Sequence, residues 1–74
     1  MSYQYYAVIN LMGERVNIAR GTGRNPPTLL EAHASDDRWL ESRTLYSRFV
    51  EGDLELLTAD EASRLATKLG FKLS

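Results

Sequence analysis

The stretch from Leu57 to Phe71, LTADEASRLATKLGF, constrains the fold more than any other part of the chain, because it carries the start, face and stop of a helix. Thr58-Ala59-Asp60-Glu61 has the form of a capping box. In such a box the threonine hydroxyl accepts from the Glu61 amide, and the Glu61 carboxylate reaches back to the Thr58 amide. Leu57 precedes the cap and is placed to staple against Ala62. At helical spacing Ala59, Ala62, Leu65, Ala66 and Leu69 share one face, while Asp60, Glu61, Arg64, Thr67 and Lys68 take the other. Acids fall in the first turn and Lys68 in the last, as the helix dipole favours. Gly70 supplies a left-handed stop after which Phe71 folds back. A helix this short is marginal alone, so its small apolar face requires a packing partner.

Upstream, Tyr3 to Met12 alternates as a strand does. Tyr3, Tyr5, Ala7, Ile9 and Leu11 lie on one face, and Gln4, Tyr6, Val8, Asn10 and Met12 on the other. Arg15 to Arg20 alternates again. Gly13-Glu14 fits a two-residue type II′ loop, which pairs Met12 with Arg15 and Ile9 with Ile18. That hairpin has one apolar and one mixed face and needs a helix over the Ile9/Ile18 side. Gly21 to Pro27, GTGRNPP, reads as a loop carrying Arg24, since its glycines permit positive φ and Asn25 precedes a proline. It lacks the Gly-Lys-Ser/Thr of a phosphate-binding P-loop.

Thr28 to His33 admits both a helical turn and an extended segment. Ser35-Asp36-Asp37 has the form of a second helix start. From Trp39 to Val50 a helical wheel gathers Trp39, Leu45, Tyr46, Phe49 and Val50 on one face, leaving Leu40 well off it. The rival reading is a hairpin turning at Glu51-Gly52-Asp53. Gly52 stops the helix, and Leu54 to Leu57 follows as a short strand against the hairpin.

Seventy-four residues make one domain, 1–74. A chain of this length buries only about 60% of its unfolded surface, which leaves little room for a catalytic cleft beside a core. There is no cysteine, so disulfides and thiolate chemistry are excluded, and a reducing, cytoplasmic setting is expected. The N-terminus lacks the basic start and cleavage site of a signal peptide, and no apolar run approaches the ~18 residues of a membrane span. His33 is the only histidine; neither a metal site nor a general base with an orienting partner can be built around it. The paired acids Asp36/Asp37 and Asp60/Glu61 sit at predicted helix starts, where the dipole accounts for them. No cofactor, metal or catalytic residue is expected, and the chain reads as a non-enzyme.

Charge is unevenly spread. Residues 1–30 carry Arg15, Arg20 and Arg24 against Glu14, whereas residues 31–61 hold nine acids against three arginines. The formal net charge of −1 gives no general pull toward phosphate backbones. The acids opening the Thr58 helix argue against a recognition helix on DNA. A sheet that stacks bases on Tyr3, Tyr5 and Tyr6 is the alternative nucleic-acid reading. Arginine and aromatic side chains at a surface are the usual chemistry of protein hot spots. Tyr6, Arg15, Arg20, Arg24, Trp39 and Leu40 are therefore the expected partner contacts.

In its length, lack of cysteine and lack of a catalytic motif, the chain resembles the small proteins by which bacteriophages redirect host machinery. That group includes regulators that bind host RNA polymerase, with effects of inhibition and antitermination, and anti-CRISPR inhibitors. The resemblance implies docking on a larger protein complex, RNA polymerase first, in the host cytoplasm, with nucleic acid met only indirectly and no membrane. The expected architecture is α+β: an N-terminal antiparallel hairpin, with a possible third short strand, packed against two helices, as a monomer or weak dimer.

Overall fold

The computed structural model describes residues 3–22, 29–35 and 38–73. Its elements in chain order are β1 (Gln4–Ile9), β2 (Arg15–Thr22), β3 (Leu29–Ser35), β4 (Arg38–Glu41), α1 (Arg43–Glu51), β5 (Leu54–Leu57) and α2 (Ala59–Leu69). The strands form one antiparallel sheet in the order β4-β3-β2-β1-β5. The fold is α+β, with the N-terminal hairpin at its centre and the expected short strand, β5, paired to β1.

Period-two alternation splits the apolar residues of β1 and β2 between two cores rather than one. Ala7 and Ile18 join Leu57, Ala62, Leu65 and Ala66 under α2. Tyr6, Val8 and Ala19 join Leu30 and Leu45 under α1. The face expected to be mixed and solvated is therefore a second buried layer. Ile18 and Leu30, one in each layer, are fully buried; each side chain so removed from water contributes about 1.5–3 kcal/mol.

Helix α2 forms as its local signals require. Both halves of the capping box are made, with Glu61 N donating to Thr58 Oγ1 at 3.2 Å and Thr58 N donating to Glu61 Oε1 at 3.0 Å. Gly70, at φ 97°, takes the left-handed conformation that L side chains resist. Phe71 N then donates to Ala66 O at 2.9 Å and turns the chain back onto the sheet. The buried stripe is narrower than the wheel predicts: Ala62, Leu65 and Ala66 are buried, while Ala59 and Leu69 are exposed.

Two expectations are corrected. The predicted helix beginning at Ser35 is instead the end of β3, then β4, with α1 beginning at Arg43. Trp39 therefore stands opposite His33, and Leu40 opposite Ala32, in a β ladder. Leu40's poor place on the helical wheel is the mark of this alternation. Asp36 and Asp37 lie outside the described residues, and Ser42 precedes α1 without a side-chain capping bond. The ambiguous segment is the strand β3 from Leu29, with Thr28 outside the described residues.

The second correction concerns the hairpin. Its register places Ala7 opposite Ile18 and Ile9 opposite Arg15, with an irregularity between Val8 and Ile9. The loop is Leu11-Met12-Gly13, not Gly13-Glu14. Asn10 Oδ1 accepts from both Met12 N and Glu14 N at 2.9 Å, and Gly13 N donates to Asn10 O at 3.0 Å. Gly13 sits at φ 79°, completing the three-residue turn with a left-handed residue. From Gln4 to Val8 the slip from the expected pairing is two residues, which leaves those side chains on their own face, so Ile18 still reaches the α2 core.

Candidate functional site

The sheet surface beneath α2 extends past the helix onto β3 and β4, where side chains of four strands and the C-terminal segment meet. Arg20 on β2 stands opposite Glu31 on β3, and its Nε donates to Glu31 Oε1 at 3.0 Å. Both side chains are 18% exposed, so this ion pair is shielded. The Arg20 guanidinium lies 4.2 Å from the Tyr3 ring centroid and 4.4 Å from that of Trp39. His33 meets Trp39 edge-on at 5.4 Å and stacks on Phe71 at 3.6 Å, with the rings 5° from parallel. Tyr5 closes the group against Trp39 at 6.4 Å. The charge of Arg20 is thus spent internally, on one carboxylate and two ring faces, and the cluster works as a clasp between β1, β2, β3 and β4.

A different kind of surface lies at the hairpin tip. Leu11 is fully exposed and Met12 is 83% exposed. Both ride on the turn that Asn10 holds with its side-chain and main-chain bonds. Isolated exposed apolar residues are common, but here two large ones are adjacent and their backbone is fixed. Arg48, whose Nη1 donates to Ile9 O at 3.2 Å, ties α1 to the base of this hairpin.

The six residues expected to contact a partner do not form one surface. Arg20 and Trp39 come together in the clasp. Leu40 is exposed on β4, on the opposite face of that strand. Arg15 is exposed at the hairpin base and ion-paired with Glu55 of β5. Arg24 lies outside the described residues. Tyr6 is a correction: it is 4% exposed, packed edge-on against Phe49 at 6.0 Å beneath α1, and its hydroxyl donates to Gln4 Oε1 at 2.9 Å. Burial pushes the Tyr6 hydroxyl pKa up. Tyr6 belongs to the mixed face that α1 covers, so it is a core residue rather than a contact.

Leu11 and Met12 were not singled out from the sequence, because the alternation of β1 runs on through them. The available signal was Asn10-x-x-Gly13, an Asx turn followed by a left-handed position.

A groove of about 640 Å³ between the hairpin and α2 mixes Arg15, Arg64 and Lys68 with Glu14 and Glu61. The Thr58 amide and hydroxyl hold the Glu61 carboxyl below its usual pKa, with a smaller contribution from Arg15 and Arg64. Among the described residues no cluster of three or more His, Cys, Asp or Glu could hold a metal ion, and no helix is long and apolar enough to cross a membrane. No family model, curated protein or solved structure matches this chain.

Proposed function

We propose that this chain is a non-enzymatic protein-binding regulator that docks through its β1–β2 hairpin tip. The observation that carries this reading is the pair Leu11 and Met12, presented side by side on a turn whose conformation Asn10 and Gly13 hold in advance. A rigid apolar anchor loses little conformational entropy on binding, and methionine is enriched at protein interfaces. Of the candidate arginine and aromatic contacts, Arg20 and Trp39 are engaged with each other in the clasp and Tyr6 is buried under α1. The resemblance in size and character to phage regulators makes bacterial RNA polymerase the first partner to test.

The test is capture of purified bacterial RNA polymerase, and of proteins from nuclease-treated bacterial lysate, on the immobilised wild type and on a Leu11→Ser/Met12→Ser variant. Stability of the variant is expected to stay within about 0.5 kcal/mol of wild type, as for exposed substitutions generally. The expected result is capture by the wild type and its loss in the variant. Equal capture by both would remove the hairpin tip from the reading. Recovery of nucleic acid alone would replace protein binding by nucleic-acid binding.

A further inference from the structure

The two helices are held to the sheet by unequal means. α2 buries Ala62, Leu65 and Ala66 and closes its first turn with a capping box. Of the nine residues of α1 only Leu45 is buried, its first turn carries no acid, and Ser42 makes no side-chain capping bond. Tyr46 and Phe49 are half-buried, and Val50 is 84% exposed. α1 also joins β4 to β5, the two outermost strands, so it crosses the sheet from edge to edge. Ser42 alone links it to β4, and Gly52 and Asp53 link it to β5. Four strand spacings measure about 19 Å. A helix of this length is about 13.5 Å long, so with such short links it has little slack in which to swing aside. Unwound, the same residues reach about 30 Å, enough to lift from the sheet with both edge strands in place.

We propose that α1 is a strap that opens by unwinding while the sheet and α2 stay folded, uncovering the apolar layer of Tyr6, Val8 and Leu30. Partial opening begins where buried contacts are fewest. Both anchor strands have holds that do not involve α1. Leu57 of β5 lies in the α2-side core, and Trp39 of β4 lies under the Arg20 guanidinium. One amide of the sheet belongs to the strap. The pairing of β3 to β4 begins at Glu31 and Glu41. Beyond it, Leu30 N donates to the Tyr46 hydroxyl at 3.2 Å, and Leu30 O accepts from Ser42 N at 3.3 Å. Unwinding α1 therefore removes the acceptor of Leu30 N, although Leu30 stays paired with Gly21 in the β2–β3 ladder. The strap does not depend on the hairpin-tip reading, since Leu11 and Met12 lie outside it.

Native-state hydrogen exchange of the full chain, followed residue by residue by NMR, tests the strap. Relative to their intrinsic rates, the bonded amides of α1 and the Leu30 amide are expected to exchange about tenfold faster, or more, than those of Leu65 and Ala66 in α2. Thr58→Ala, which removes the α2 cap, should speed the α2 amides about fivefold. It should leave α1 and Leu30 unchanged, because α2 is folded both before and after the strap opens. Thr44→Glu exchanges an exposed β-branched residue for an acid in the first turn of α1 and should slow α1 and Leu30 together. A common rate for α1, Leu30 and α2 would show that the molecule opens as one body and would overturn the proposal. So would an equal response of α1 and α2 to Thr58→Ala, or a Leu30 amide that exchanges with the sheet and not with α1.

Discussion

Arg20 on β2 stacks its guanidinium on the ring of Trp39 on β4, 4.4 Å from the centroid, although β3 lies between the two strands. Glu31 of β3 receives the Arg20 Nε on the way. The edge strand is thus held by backbone pairing to β3 and by a side chain from the strand beyond it. Arg20→Ala would leave Glu31 shielded without its partner and would strip one face from Trp39. The expected cost is about 1–3 kcal/mol, read from the shift of the urea midpoint at constant slope. Arg20→Lys keeps the charge but not the flat, stacking guanidinium, so it should recover only part of that loss. Full recovery by lysine would show that the stacking contributes nothing.

Tyr6→Ala should destabilise by about 3–5 kcal/mol, in line with loss of a buried aromatic, and in a domain of this size that approaches the whole folding free energy. Tyr6→Phe removes only the bond to Gln4 and should cost about 0.5–1.5 kcal/mol. Burial raises the hydroxyl pKa above its ordinary value of 10.0. The stabilisation tied to the neutral hydroxyl is therefore complete below pH 10.0 and is lost as pH rises through the higher folded value. Alkaline unfolding followed by circular dichroism should move to higher pH in Tyr6→Phe. An unchanged alkaline limb would exclude this hydroxyl as its cause.

What was legible in the sequence was what local interactions decide. Helix α2 is specified within its own span by Thr58, Glu61 and Gly70, and each acts as its spacing predicts. The strand character of β1 and β2 was equally plain from alternation, whereas a short strand at Leu54–Leu57 was suggested only by its place between the Gly52 stop and the Thr58 cap. The β3–β4 pair was not plain, because its stability comes from distant partners: Ala19 opposite Ala32, and Arg20 above Trp39. Within a local window Trp39, Leu45, Tyr46 and Phe49 have helical spacing, and only Leu40 dissents. The hairpin register failed for a smaller reason, since Gly13-Glu14 and Leu11-Met12-Gly13 are both good loops and the Asn10 side chain selects the longer. Of the candidate contacts, Arg20 and Trp39 were each singled out, but their meeting depends on strand order. The exposure of Leu11 and Met12 depends on that loop choice.

The capping box of α2 makes a prediction in acid. Thr58→Ala removes the side-chain acceptor for Glu61 N and should cost about 1 kcal/mol. Glu61 has its carboxyl pKa held below the ordinary 4.5, first by the Thr58 amide and then by the Thr58 hydroxyl. A depressed carboxylate contributes stability that is present above its unfolded value and lost as pH falls through the folded one. Thermal midpoints should therefore decline below pH 4.5 in the wild type, and Glu61→Gln should flatten part of that decline. An identical acid limb in the two proteins would assign the decline to other carboxylates.

Phe71 covers sheet surface that α2 does not reach. The helix packs over β1, β2 and β5, and the chain then turns at Gly70 and lays Phe71 flat on His33 of β3. Phe71 and Leu73 both pack against the α2-side core while remaining half-buried. Phe71→Ala should therefore cost less than a fully buried phenylalanine, about 1–3 kcal/mol in urea unfolding. Because the two rings lie 3.6 Å apart and nearly parallel, the Phe71 ring current shields the His33 imidazole protons. In Phe71→Ala those proton resonances should move downfield, while the amide resonances of β5 and of the first turn of α2 stay in place. A His33 spectrum unchanged by the substitution would mean that the C-terminal segment does not rest on the sheet.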